Sequence, residues 1–132
     1  MVAISLLDDN VLTYVMEYFL NKSKKYKVFF PRGESSKENP LMNQKDIFSN
    51  ISRQTKKWNG MENGECLIGY LDYDSVNVFK NAENSDEKIW KFNLYDEKQL
   101  LFSVDDFDTG VIYNKEDFEK FPEFVKRQMI EI

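Results

Sequence analysis

Two neighbouring segments of the chain alternate apolar and polar residues, and this period of two limits the possible folds more than any other feature. In KIWKFNLY (88–95), Trp90, Phe92 and Leu94 fall on one side, and in QLLFSVD (99–105) every second residue from Leu100 is apolar. Such alternation is typical of antiparallel strands with one buried face. From Cys66 onward we expect a meander of about four to five strands, at 66–72, 75–80, 88–95, 99–104 and 110–113.

The beginning of the chain has the spacing of a helix instead. Residues 8–22 place apolar side chains on one helical face. Asp8 and Asp9 stand at its start and Lys22 at its end, where carboxylates and cations suit the helix dipole. The segment YKVFF (26–30) then reads as a short strand. The predicted helix buries Val11, Leu12, Val15, Met16 and Phe19.

Two further helices are expected. One runs over 44–58 with Asn43 as its cap, and it follows a loop over 31–42. The other begins at Lys115 with Asn114 as its cap, and Pro122 kinks it or splits it in two. The helix over 44–58 carries a basic face of Lys45, Arg53, Lys56 and Lys57.

These elements indicate an α+β fold. Helices from the N-terminal half and from the C-terminus would pack on one face of the antiparallel sheet. The 132 residues correspond to a single domain over 1–132. Apolar residues make up 42% of the chain, which is enough for a core without disulfides or a metal.

The residue types present exclude several kinds of catalytic site. The chain has no histidine, so neither a Ser-His-Asp nor a Cys-His arrangement can form. Its single cysteine, Cys66, opens an apolar run and reads as a buried thiol rather than a nucleophile. The glycines match neither dinucleotide-binding nor phosphate-binding loops. We therefore expect no enzymatic activity, no cofactor and no metal site.

No segment has the features of a targeting or membrane sequence. Residues 1–7 are apolar but lack the basic start and the cleavage site of a signal peptide. No apolar run approaches the roughly 18 residues that a membrane helix needs. Both observations predict a cytoplasmic protein without membrane contact.

Acidic residues concentrate in the second half of the chain. Residues 1–64 carry a net charge of +3 and residues 65–132 a net charge of −8. This acidity disfavours nucleic acid as a partner and favours a basic protein, attracted by opposite charge. In three predicted turns the acids stand beside aromatic rings, which are common at binding hot spots. The predicted contact residues are Asp72, Tyr73, Asp74, Tyr95, Glu97, Asp105, Asp106 and Asp108.

The small acidic chain, with its aromatic and acidic turns LDYD (71–74) and VDDFD (104–108), resembles the immunity proteins of bacterial toxin systems, including contact-dependent growth inhibition. These proteins differ in fold, so the resemblance implies nothing about architecture. It implies a non-enzymatic inhibitor that neutralises a cognate basic toxin domain, commonly a nuclease. A phage-encoded inhibitor of a nucleic-acid-binding defence protein would share these features.

Two alternatives from other classes stay open. The acid-x-Lys pairs Asp86-x-Lys88 and Asp96-x-Lys98, with an upstream acid at 72 or 74, could form a metal-dependent nuclease site. A regulatory module of a larger assembly could instead use the basic helix face. A calcium loop at 105–108 is disfavoured, because the required glycine would fall on Val111.

Overall fold

A computed structural model describes residues 1–31, 40–85 and 87–130, and it shows an α+β fold with an antiparallel sheet. The sheet has seven strands in the order β1-β7-β6-β5-β2-β4-β3, more than the four to five expected from the sequence. All the pairings are antiparallel. In chain order the elements are β1 (Val2–Ser5), α1 (Asp9–Lys22), β2 (Lys25–Phe30), α2 (Pro40–Ile51), β3 (Gln54–Trp58), β4 (Gly64–Tyr70), α3 (Tyr73–Glu83), β5 (Lys91–Asp96), β6 (Gln99–Asp105), β7 (Thr109–Ile112), α4 (Lys115–Glu119) and α5 (Glu123–Lys126).

The two faces of the sheet differ because the helices of residues 1–31, 40–85 and 87–130 pack on one face and not on the other. Residues paired across neighbouring strands lie on the same face, and the face alternates along each strand. On the covered face Val28 pairs with Leu67 on one side and Phe92 on the other, and all three are buried against the helices. On the open face the central strand β2 presents Lys25, Lys27 and Phe29.

Helix α1 lies over the covered face as the sequence predicts. Asp8 caps it by accepting hydrogen bonds from the backbone N–H groups of Asn10 and Val11. Phe19 stacks on Phe102 of β6 with 4.6 Å between the ring centroids. Its buried residues are the five predicted ones and Leu20.

The C-terminal region also follows the prediction from sequence. The Asn114 side chain caps α4 by accepting from the backbone N–H of Glu116. Pro122 separates α4 from α5, because its ring has no N–H for the helical ladder. The buried carboxylate of Asp117 accepts a hydrogen bond from the Tyr18 hydroxyl and pairs with Lys22, which ties α4 to α1.

The predicted helix over 44–58 is wrong in its second half and begins too late. Helix α2 spans Pro40–Ile51, so Asn43 is inside it and is not its cap. Residues 54–58 form β3, an edge strand paired only with β4. The segment QTKKW gave no strand signal because four of its five residues are exposed. Lysines are common on such edges, where they oppose pairing with other chains. The rest of the predicted loop, 32–39, lies outside the described residues.

The predicted strand at 75–80 is also wrong, since this segment belongs to α3. Asp72 and Ser75 form a reciprocal capping box that starts the helix. Phe79 is buried on the core side of this helix. The burial of its ring favours the helix more than the alternation of apolar and polar residues favours a strand. Strand β5 begins at Lys91 rather than 88. Strand β1 was not predicted, because four residues give too short a pattern.

Candidate functional site

The eight predicted contact residues lie at two opposite ends of the sheet. Asp72, Tyr73 and Asp74 follow the end of β4, which is paired through β2 with the end of β5. Tyr95 and Glu97 therefore share this end, here named the tyrosine end. The turn over 105–108 joins β6 to β7 at the other end, about 20 Å away along strands of this length. The predicted residues do not form one surface.

At the tyrosine end the three residues of the 72–74 segment have different roles. The carboxylate of Asp72 accepts the backbone N–H of Ser75 at 2.9 Å, and this bond holds the pKa of Asp72 below its ordinary value. That side chain is therefore engaged in capping α3. Tyr73 is 82% exposed and Asp74 is exposed in the first turn of the helix. Asp72 is exposed as well, but its carboxylate is engaged in the cap, whereas Tyr73 and Asp74 are not part of it.

Cations offset the acids at the tyrosine end. Glu97 pairs with Lys24 at 3.0 Å, and Asp96 lies 3.7 Å from the same ammonium. Tyr95 is on the open face, with the ammonium groups of Lys25 and Lys27 within 5.5 Å and 5.3 Å of its ring centroid. This surface is mixed in charge rather than acidic.

The opposite end, named the acidic end, consists of Asp8, Asp9, Asp105, Asp106 and Asp108. The backbone N–H of Leu6 donates to the carbonyl of Asp108 at 2.7 Å, so the start of α1 lies beside the 105–108 turn. Two ammonium groups reach this end: Lys88 lies 3.4 Å from Asp9, and Lys91 pairs with Asp105. Within the described part of the chain, Asp106 and Asp108 form no ion pair. The acidic end therefore keeps a local excess of negative charge.

The tip of the 105–108 turn is held in an uncommon conformation. Asp106 and Phe107 have φ angles of 52° and 71°, in the left-handed region that phenylalanine rarely adopts. Two hydrogen bonds to Trp90 hold the turn. The N–H of Phe107 donates to the Trp90 carbonyl at 3.0 Å, and the Trp90 indole donates to the Asp106 carboxylate at 3.3 Å. Strain of this kind persists where surrounding structure imposes it and is frequent at functional sites.

Two apolar side chains stand among these acids. Leu7 is 73% exposed and Phe107 is 42% exposed. Apolar groups with charged groups at their rim are the arrangement found in the centre of protein interfaces. The VDDFD motif is visible in the sequence, but nothing in the local pattern of Leu7, Asp8 and Asp9 indicates that this turn lies beside them.

A half-buried carboxyl group lies close to the acidic end. Glu83, at the end of α3, lines a cleft that it shares with Asp9, Thr13 and Lys88. Its Oε2 atom is buried and has no hydrogen-bond partner among the described residues. Burial raises the pKa of Glu83 from 4.5 to about 7, although the charges of Lys80 and Lys88 oppose the shift.

The structure also bears on the suggested metal site, on the predicted burial of Cys66 and on membrane helices. Across the described ranges, no three acidic or cysteine side chains are grouped closely enough to hold a metal ion. Asp86, one of the suggested ligands, lies outside those ranges.

Cys66 is a buried free thiol as predicted, and burial raises its pKa. None of the described helices has the length and apolar character needed to cross a membrane.

No protein-family model, curated protein or solved structure matches this chain.

Proposed function

We propose that this protein is a non-enzymatic inhibitor of the immunity type, which binds and neutralises a basic protein domain through its acidic end. One observation carries the proposal. Asp8 and Asp9 from one chain segment and Asp105, Asp106 and Asp108 from another lie at the same end of the sheet as the exposed side chains of Leu7 and Phe107. An apolar centre with an acidic rim suits a partner with an apolar pocket inside a basic surface.

The two parts of this surface would contribute differently. Leu7 and Phe107 supply apolar area whose burial drives the complex, and the strained turn presents the phenylalanine in a fixed position. Asp106 and Asp108 supply charge without a competing cation in the described chain, so they attract a basic partner during approach. Such rim charges act mainly on the association rate.

The tyrosine end has a smaller part in this proposal. Its acids face nearby ammonium groups, and it lies about 20 Å from the acidic end. Because the two surfaces lie at opposite ends of the strands, a partner docked on the acidic end reaches the tyrosine end only if it extends along the sheet. Tyr73 and Asp74 would therefore touch only a large partner that wraps around the sheet.

The test uses tagged protein to capture partners from the source cell at low and high salt. We expect one basic protein, retained in stoichiometric amount, whose toxic activity is lost in the complex. The double variant Asp106→Lys and Asp108→Lys should reduce the association rate with the purified partner about tenfold, with weaker salt dependence. The matched control is Asp74→Lys, which reverses an exposed charge at the other end and should leave the rate near that of the unchanged protein.

Two results would contradict the proposal. Equal association rates for the acidic-end variant and the control would remove the acidic end from the interface. A captured partner that is acidic, or that keeps its full activity in the complex, would refute the inhibitor function.

A further inference from the structure

The open face of the sheet is strongly basic although the whole chain is acidic. Its strands and the residue before β3 bring together Lys25, Lys27, Lys56 and Arg53, and none of them has a carboxylate within ion-pair distance in the described ranges. The strand residues on this face include one acid, Asp105, which is paired with Lys91. Along the sequence the first half of the chain is basic and the second half is acidic. In the folded protein the charges are instead arranged as an acidic end and a basic open face.

Aromatic rings lie between these cations. The Arg53 guanidinium lies 4.7 Å from the ring centroid of Tyr70, which is 54% exposed. Trp58, at the other end of β3, packs against Phe29 and Trp90 with 5.4 Å and 5.7 Å between centroids. A flat sheet with rings and cations in alternation offers both stacking surfaces and phosphate contacts.

A cleft is present at one corner of this face. It has a volume of about 420 Å³ and is lined by Lys25, Arg53, Gln54, Ile68 and Tyr70. The cleft borders the exposed ring of Tyr70, on which a planar base can stack, and Lys25 and Arg53 line it as partners for charged substituents. These are the contacts that a nucleotide makes with sheet-based binding domains.

From this arrangement we propose that the open face binds single-stranded nucleic acid without sequence preference. Lysine supplies three of the four unpaired cations. Lysine is depleted at protein–protein interfaces but is a regular contact for phosphate, so the composition favours a nucleic acid over an acidic protein. The four cations of this site are not part of the acidic end. Substitutions can therefore abolish binding at one surface and leave the other surface unchanged.

The net charge of the whole chain does not describe the local charge on the open face. In physiological salt the Debye length is about 8 Å, so the acidic end, roughly 20 Å along the strands from the cleft, contributes little there. Asp96 and Glu97, which are nearer to the cleft, are paired with Lys24. The local charge around Lys27 and Lys56 therefore governs binding. The two residues flank β4 on the same face, and both ammonium groups act on the thiol of Cys66 between them.

The first experiment measures the fluorescence anisotropy of a labelled 20-nucleotide oligo-dT at increasing salt. With four phosphates neutralised, affinity should fall about 50-fold between 50 and 200 mM salt, following the single-strand slope. An abasic strand of equal length should bind at least tenfold more weakly, because it cannot stack.

Two double variants distinguish binding by the open face from a general effect of positive charge. Lys27→Gln with Lys56→Gln removes two cations from the open face, whereas Lys57→Gln with Lys98→Gln removes two exposed cations elsewhere. Each lost phosphate contact weakens binding about eightfold at 50 mM salt, so the first pair should bind about 60-fold more weakly. The second pair should change affinity less than twofold. Thermal unfolding of both pairs checks that the fold is retained.

Three outcomes would overturn the proposal. One is the absence of binding at 50 mM salt, and another is an equal loss in the two variant pairs. The third is displacement of the oligonucleotide by poly-glutamate at the same charge concentration, which would assign the face to an acidic protein. Partner capture by the acidic end is measured separately and does not depend on these results.

Discussion

Replacing Glu83 with glutamine should make the protein more stable in neutral solution but not in acid. The unfolded chain ionises this carboxyl near pH 4.5, whereas burial in the folded protein raises its pKa to about 7. Between these values the folded state holds a proton that the unfolded state releases. The contribution of this carboxyl to the unfolding free energy is therefore fully present below pH 4.5. It is lost as the pH rises through the folded-state pKa of about 7.

The size of the effect follows from the shift. A displacement from 4.5 to about 7 corresponds to roughly 3 kcal/mol at about 1.4 kcal/mol for each pKa unit. Water screens a carboxyl group that is only partly buried, and this reduces the free energy that the shift represents. The loss of unfolding free energy should thus be about 1–2 kcal/mol.

Urea unfolding at pH 5, 6, 7 and 8 measures this difference. The Glu83→Gln variant should gain about 1–2 kcal/mol relative to the unchanged protein between pH 5 and pH 8. Glu87→Gln, which alters an exposed carboxyl four residues away, is the control. A difference that stays constant with pH would refute the reasoning, because glutamine would then act through packing rather than through the lost charge.

Further substitutions at Asp117 and Asp72 test contacts that the structure assigns. Asp117→Ala should lower the unfolding free energy by about 3 kcal/mol in urea titrations, because it removes a buried carboxylate that holds two helices together. In Asp117→Asn the pKa of Tyr18, which is about 12, should fall towards 10 in an ultraviolet titration but stay above it, since burial is the larger cause. Asp72→Ala should cost about 1 kcal/mol through the lost helix cap, whereas Asp74→Ala should cost almost nothing; equal costs would contradict the capping role.

Local sequence predicted the elements that bury a regular apolar face. Helix α1 and the hairpin of β5 and β6 have this property. The break at Pro122 also followed from the chain, because the missing N–H acts on its own turn. Local chemistry was enough to identify these elements.

Other elements depend on partners distant in sequence. Strand β3 is polar and pairs with β4 at the edge, so its extended form comes from backbone bonds that no side-chain pattern shows. In α3 the reciprocal bonds of Asp72 and Ser75, together with the buried ring of Phe79, outweigh an alternation typical of a strand. Tertiary contacts override weak local preferences in such segments.

The sequence by itself determined an acidic α+β protein with a single buried thiol and no histidine-based chemistry. Its charges along the chain suggested acidic contact residues in three turns. Only the tertiary structure decided that the turns lie at opposite ends, that the 105–108 turn meets the start of α1, and that unpaired cations share the open face. The reason is physical: the side of a sheet to which a charge points depends on strand register and order, and long-range pairing sets both.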